Sequence, residues 1–207
     1  MEASAEKTMP TGILEKRIFT IGHSNLSFED FASLLKEFGI CLIADIRRYP
    51  SSRKFPHFNR QVLCKLLAVE KIEYLWLEAF GGRRHAKEND KSLNIGLKSP
   101  GFRNYADHMG TDEFHTAVQE LLSTAATLRT AVMCAEKFYW KCHRRLLGDY
   151  LVAQGVEVVH IIGPGKSSRH KLTPYAVTTK DGVIYPSPVE DPFQQGEPSD
   201  TQKSFWQ

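Results

Sequence analysis

Short apolar runs alternate with stretches of helical periodicity along most of this chain. Arg17–Ile21, Ile40–Ile46, Glu73–Leu77, Thr130–Met133 and Glu157–Ile162 read as strands. Between them, Ser27-x-x-Asp30 resembles a capping box. It opens a helix whose Phe28, Phe31, Leu34, Leu35 and Phe38 share a face, and Gly39 stops it. Asn59 is placed to cap a helix running through Lys71, with Val62, Leu63, Leu66 and Leu67 apolar. Thr111 caps another, with Phe114, Val118, Leu121, Leu122 and Ala125 facing inward. A further helix runs from about Lys141 to Gln154 and ends at Gly155. Residues 81–108 form a polar, glycine-containing stretch, longer than a passive connector usually is.

Strands alternating with helices predict an α/β fold. The expected architecture is a three-layer sandwich, with a mostly parallel sheet of about five strands and helices on both faces. Tyr175–Thr179 and Val183–Tyr185 flank Lys180-Asp181-Gly182, which adds a C-terminal β-hairpin. The expected organisation is a flexible N-terminus at 1–16, one α/β domain at 17–185 and a tail at 186–207. That tail is rich in Pro, Gln, Ser, Glu and Asp and reads as disordered.

Hydrophobic residues at 42% and charged residues at 25% place the chain among globular proteins with a real core. A net charge of +3 does not by itself imply nucleic acid. The four cysteines, Cys41, Cys64, Cys134 and Cys142, show no paired spacing, and Cys41 and Cys64 sit in apolar segments. This speaks for reduced thiols and a cytoplasmic location and against a disulfide scaffold. Residues 1–16 lack the apolar region of a signal peptide. No stretch approaches the roughly 20 apolar residues that span a bilayer, so no membrane partner is expected.

The series Thr20-Ile21-Gly22-His23-Ser24, Asp45-Ile46-Arg47-x-x-Pro50-x-Ser52, Phe58-Asn59, Gly81-Gly82-Arg83, Tyr105-Ala106-x-x-Met109, Met133-Cys134-Ala135-Glu136, Cys142-His143-Arg144 and His160-Ile161 resembles domain-of-unknown-function family 488. The resemblance covers roughly residues 17–185. It implies a compact α/β fold and leaves the reaction to be argued from the residues.

Ligands of open α/β sheets bind beyond the carboxyl ends of the strands. Those ends carry His23 and Ser24, Asp45 and Arg47, and Cys134 and Glu136, with the Gly81-Gly82-Arg83-Arg84 loop after the middle strand. Cys134 is a candidate nucleophile or a small hydrophobe in the pocket wall. Strand, cysteine, loop and helix follow one another much as in sulfur-transfer and phosphatase folds. Those folds place an Arg soon after the Cys; here Trp140 stands six residues on and the first Arg, Arg144, ten. Glu136 is a candidate acid or base tuned upward by burial, or a salt-bridge partner of Arg144 or Arg47. His23 can exchange a proton near neutral pH, and Asp45 either orients it or pairs with Arg47.

Lys141, Arg144 and Arg145 put positive charge in the first turn of a helix, where the dipole favours an anion. A bound phosphate would relieve that conflict, so Arg47, Arg83, Arg144, Arg53, Ser24 and His143 are candidate anion-binding residues. No cofactor is expected. Cys134, Cys142 and His143 could hold zinc with one more ligand, although the usual paired-cysteine spacing is absent. Basic loops at 47–60, 83–87 and 166–171, the first interleaved with Tyr49, Phe55 and Phe58, make a nucleotide or nucleic acid a candidate partner. The leading expectation is an enzyme that hydrolyses, or transfers a group from, a phosphate-bearing substrate. The alternatives are a nucleic-acid-binding module and a thiol redox or sulfur-transfer protein. The last requires Cys134 and Cys142 within disulfide reach.

Overall fold

The computed structural model describes residues 16–85 and 92–186. The expected flexible N-terminus and tail, and Lys87 of the basic loops, lie outside the described residues apart from Lys16 and Pro186. The strands are β1 (Arg17–Gly22), β2 (Leu42–Asp45), β3 (Glu73–Trp76), β4 (Thr130–Cys134), β5 (Glu157–Gly163) and β6 (Lys166–Arg169). They form a six-stranded sheet in the order β3-β2-β4-β1-β5-β6. All neighbours pair in parallel except β5 and β6. A separate antiparallel hairpin joins β7 (Val177–Thr179) and β8 (Gly182–Ile184).

The helices are α1 (Phe28–Glu37), α2 (Arg60–Val69), α3 (Pro100–Met109), α4 (Asp112–Ala125) and α5 (Arg144–Ala153). Two apolar layers cover the sheet. Phe31, Leu34 and Leu35 of α1 and Leu63 and Leu67 of α2 pack on Phe19, Ile21, Ile43, Ala131 and Met133. On the other face, α3, α4 and α5 bury Tyr105, Phe114, Leu121, Leu146 and Leu147 against Ile18, Ala44, Val132 and Val158. Successive strand residues point to opposite faces, so a strand covered on both is apolar except where a polar side chain finds partners, as Asp45 and Thr130 do at the strand ends. Every residue of β2 and β4 is buried.

Local rules account for most helix starts. The Ser27 hydroxyl accepts from the Asp30 N–H, and the Thr111 hydroxyl from the Phe114 N–H. Asn59 departs from expectation. It precedes α2 but makes no side-chain cap, and its Oδ1 instead accepts from the Ser52 N–H at 2.5 Å. Its hydrogen bond thus orders the long loop after β2. The polar stretch 81–108 holds an unexpected helix, α3, which starts at Pro100, a residue suited to a first turn. Strand β6 was likewise not expected. It is short and polar, with Lys166 and Arg169 exposed, as edge strands commonly are.

The order of strands matters for the site. The chain moves from β1 outward to β2 and β3, then returns to insert β4 between β2 and β1. The carboxyl ends of β2, β4 and β1 therefore lie side by side, with Cys134 opposite Gly22 and Asp45 opposite Met133.

Candidate functional site

A cleft of about 1070 Å³ opens beyond these three strand ends. His23 and Ser24 enter it from β1, and Arg47, Arg48, Lys54 and Phe55 from the loop after β2. Arg83 enters after β3, Phe102 from α3, and Cys134, Glu136, Lys137, Lys141, Cys142 and His143 from the segment between β4 and α5. The loops after β1 and β4 are tied together: His23 N–H donates to the Cys134 carbonyl at 2.9 Å and Ser24 N–H to that of Ala135 at 3.1 Å. Ser24 has φ +49°, a left-handed conformation in a non-glycine residue, of the kind found at ligand sites.

Two thiols form the floor. Cys134 Sγ and Cys142 Sγ are 3.0 Å apart and 2% and 5% exposed. Cys142 stands two residues before α5, next to its N-cap His143, and the Arg144 N–H points at its sulfur from 3.5 Å. His143 Nδ1 is 3.4 Å from the same sulfur. Burial alone would disfavour a thiolate here. The Cys134 thiol, His143 and Arg144 together outweigh it and hold Cys142 well below the ordinary thiol range. Burial and its hydrogen bond with Cys142 push Cys134 well above that range. The two thiols titrate as a coupled pair in which negative charge is favoured on Cys142.

Arg144 lies beneath the cleft instead of lining it. It is 1% exposed. Its Nη2 donates to the carbonyls of Glu136 and, at 3.1 Å, Lys137, and its Nη1 lies 3.5 Å from Thr20 Oγ1. The cationic first turn is therefore relieved by loop carbonyls and the thiols, and an external anion would not touch Arg144. Gly22 makes this approach feasible: a Cβ there would come within 1.8 Å of the Glu136 carbonyl oxygen and 2.8 Å of Arg144 Nη2. Gly82 does the same for His143, whose ring would be 2.5 Å from a Cβ.

Behind Arg144 runs a buried polar chain. Thr20 Oγ1 is 2.7 Å from His160 Nδ1, His160 Nε2 is 2.9 Å from His170 Nδ1, and His170 Nε2 is 2.9 Å from Asp149 Oδ1. Asp149 also accepts from Thr173 N–H, the Thr173 hydroxyl and the Tyr185 hydroxyl. Tyr139 stacks on His160 at 3.5 Å. Burial, with His170 and Arg144 nearby, keeps His160 well below its ordinary pKa.

The other expected residues divide. Asp45 does not orient His23. It is fully buried and grips Arg47: Arg47 Nη2 donates to Oδ2 at 2.6 Å and Nε to Oδ1 at 2.9 Å, while Tyr74 adds a hydroxyl donor at 2.7 Å. Arg47 Nη1 in turn faces His23 Nε2 at 3.3 Å. Burial first, then Arg47, lower the His23 pKa to about 3, which favours the neutral ring at neutral pH. The expected near-neutral titration is thereby corrected. Glu136 is exposed, pairs with neither Arg47 nor Arg144, and accepts from the Phe138 N–H at 3.2 Å. Its expected burial does not occur. Arg53 is exposed and outside the cleft, whereas Ser24, Arg83 and His143 line it. The basic stretch at 166–171 does not enter it either; His170 belongs to the buried chain and Arg169 pairs with Glu157 at 2.8 Å. Cys41 and Cys64 are exposed in spite of their apolar neighbours. Among the described residues, no group of three or more His, Cys, Asp or Glu is arranged to hold a metal ion, and no helix is long and apolar enough to cross a membrane.

The model of the family described as Domain of unknown function DUF488 matches residues 27–151, more than half of the chain. The chain belongs to this family. The matched span contains the loop after β2, the two thiols and Arg144, while β1 and His160 and His170 fall outside it. No curated protein and no solved structure gives a match. Asp149, His160 and His170 had not been singled out as site residues. The signal for Asp149 was present in the chain: it stands between Leu147 and Tyr150 on the apolar face of a helix, where a carboxylate needs partners.

Proposed function

We propose that this chain is an enzyme that draws a phosphate-bearing, anionic substrate into the cleft and attacks it through the Cys142 sulfur. The observation that carries the reading is the contact between Cys142 and Cys134 at the floor of a cleft walled by cations. Arg47, Arg83, Lys54 and Lys141 supply the anion-binding rim. A cysteine beside a helix N-terminus and a guanidinium is the kind that reacts. In the transfer step, a bond forms between the Cys142 sulfur and the electrophilic atom while the bond to the leaving group breaks. The Cys134 proton passes to the leaving group. Water or another acceptor then frees Cys142 and returns a proton to Cys134. His23 stays neutral, and Glu136, at the mouth, is free to contact the acceptor. A reducing compartment, the cytoplasm, goes with two free thiols.

Alkylation tests the reading. Iodoacetamide should modify Cys142 with a rate that levels off well below the pKa of about 8.5 of an ordinary thiol. Nucleotides or orthophosphate should slow the reaction and raise the melting temperature. A Cys142 that reacts only in alkaline solution, with no protection by any anion, overturns it. A second reading, nucleic-acid binding without chemistry, is favoured by Tyr49, a ring 64% exposed at the rim between Arg48 and the Lys54 loop. It requires oligonucleotide affinity that weakens steeply with salt and survives Cys142→Ser.

A further inference from the structure

We infer that the electrophile is a sulfur atom: the cleft takes an anionic disulfide, Cys142 forms a mixed disulfide with it, and Cys134 resolves that intermediate. This rests on the proposed reaction of Cys142 and names the atom attacked, with the substrate's anionic group, phosphate or carboxylate, held by the rim. The observation behind it is the placement of the second thiol. A nucleophile that hands its group to water needs only a proton donor beside it, and a thiol in that place leaves it vulnerable to oxidation. A nucleophile that forms a sulfur–sulfur bond needs a second thiol within reach, because that thiol breaks the bond again. The sulfurs, 3.0 Å apart, need to approach by only about 1 Å to reach the disulfide length.

The electrostatics follow the reaction. Arg144 compensates the pair from beneath and is itself held by the Glu136 and Lys137 carbonyls, so it stays in place when the charge on the thiols changes. Once Cys142 is in a mixed disulfide it no longer accepts the Cys134 proton, and the guanidinium then favours a thiolate on Cys134. The steps balance. The Cys142 thiolate displaces one thiolate from the disulfide substrate. Cys134 then attacks the Cys142 sulfur, the second thiol departs carrying the Cys134 proton, and a Cys134–Cys142 disulfide remains. Two electrons have moved from the protein to the substrate. A dithiol reductant restores the pair, and is itself left as a disulfide. The cations of the rim select substrates with negative charge near the sulfur, and neutral disulfides should react more slowly.

The experiment uses the full chain carrying Cys41→Ser and Cys64→Ser, which removes the exposed thiols. The probe is 5,5′-dithiobis(2-nitrobenzoate), a dianionic aromatic disulfide. The expected result is release of about two thionitrobenzoates per chain, loss of two hydrogens in mass and no retained adduct. Adding Cys134→Ser should give about one release and a stable adduct, and adding Cys142→Ser should slow the reaction by at least about 10-fold. The first measurement needs no substitution at the site, so it stands whether or not those variants fold. Rapid release with adducts retained on both thiols overturns the sulfur reading and leaves Cys142 as the nucleophile. A Cys142→Ser chain that reacts as fast as its parent overturns both.

Discussion

His23 illustrates how one buried side chain can be misjudged from its type. An imidazole at a strand end suggests a proton carrier. Here its ring is stacked on Phe58 at 3.9 Å and its Nε2 faces a guanidinium that Asp45 locks in place. Protonation would set two cations against each other in a buried site. With a folded pKa of about 3 against 6.5 in the open chain, the unfolded state binds a proton between those values and the folded state does not. Stability at this residue is therefore complete above about pH 6.5 and falls as pH drops toward 3, by up to about 1.4 kcal/mol per pH unit. His160, lowered in the same direction by burial, adds to the slope. Denaturant midpoints measured from about pH 7 to pH 4 should show a shallower dependence in His23→Gln, by about one proton. An unchanged slope would mean that His23 protonates in the folded protein. The neighbouring Arg47–Asp45 pair needs its own test only for size: Asp45→Asn strands a buried cation and should cost about 3–5 kcal/mol.

At the scale of elements, the junction between β1 and the segment after β4 is the tightest part of the site. Gly22 is required because the Glu136 carbonyl and Arg144 press against the backbone there, not because of an unusual φ. Gly22→Ala must push β1 from the β4 loop or expel Arg144 from its carbonyls, and should cost at least about 1–3 kcal/mol. It should also slow alkylation of Cys142. Gly163→Ala, with nothing within 4 Å of its Cβ, should change stability by no more than about 0.5 kcal/mol. Equal melting temperatures for the two variants would refute the close approach. Strands β1 to β5 and helices α1, α2, α4 and α5 were legible because apolar strand runs and helical periodicity write themselves into the sequence, whereas the short polar β6 carries no such run. Helix α3 was not: Phe102, Tyr105, Ala106 and Met109 keep helical spacing, but they stand in a polar, glycine-containing stretch, and Ser99 gives no side-chain cap to mark the start. The cleft was legible through the strand ends, which named His23, Arg47, Cys134 and Glu136 together. Which of these face solvent was not, since exposure depends on how the loops after β2 and β4 fold over them. The contact between Cys134 and Cys142 depends likewise on a 3-10 turn at Tyr139–Lys141 that returns the chain to β4.

Across the whole molecule, the cleft is supported from behind by a polar chain that reaches to the C-terminal hairpin. Asp149 on α5 accepts from Tyr185 beyond β8 and from the Thr173 loop, and His170 and His160 carry its influence to Thr20 and Arg144. The hairpin and the edge strand β6 thus take part in holding the guanidinium that faces the thiols, although neither lines the cleft. Asp149→Asn tests this. The variant loses the charge that organises His170 and exchanges an acceptor-only group for one bearing two donors in a buried setting. Stability should fall by about 3–5 kcal/mol. That loss alone would be consistent with any buried carboxylate, so the deciding measurement is the pH profile of Cys142 alkylation in folded protein. If the chain of histidines positions Arg144, the profile should move toward the alkaline side of the parent's, because the thiolate has lost part of its compensation. Tyr185→Phe is the matching control. It removes one donor to Asp149 but keeps the carboxylate and His170, and should cost about 1 kcal/mol with the profile in place. An Asp149→Asn profile that overlays the parent's would reduce the buried chain to a structural element and leave Arg144 held by the Glu136 and Lys137 carbonyls alone.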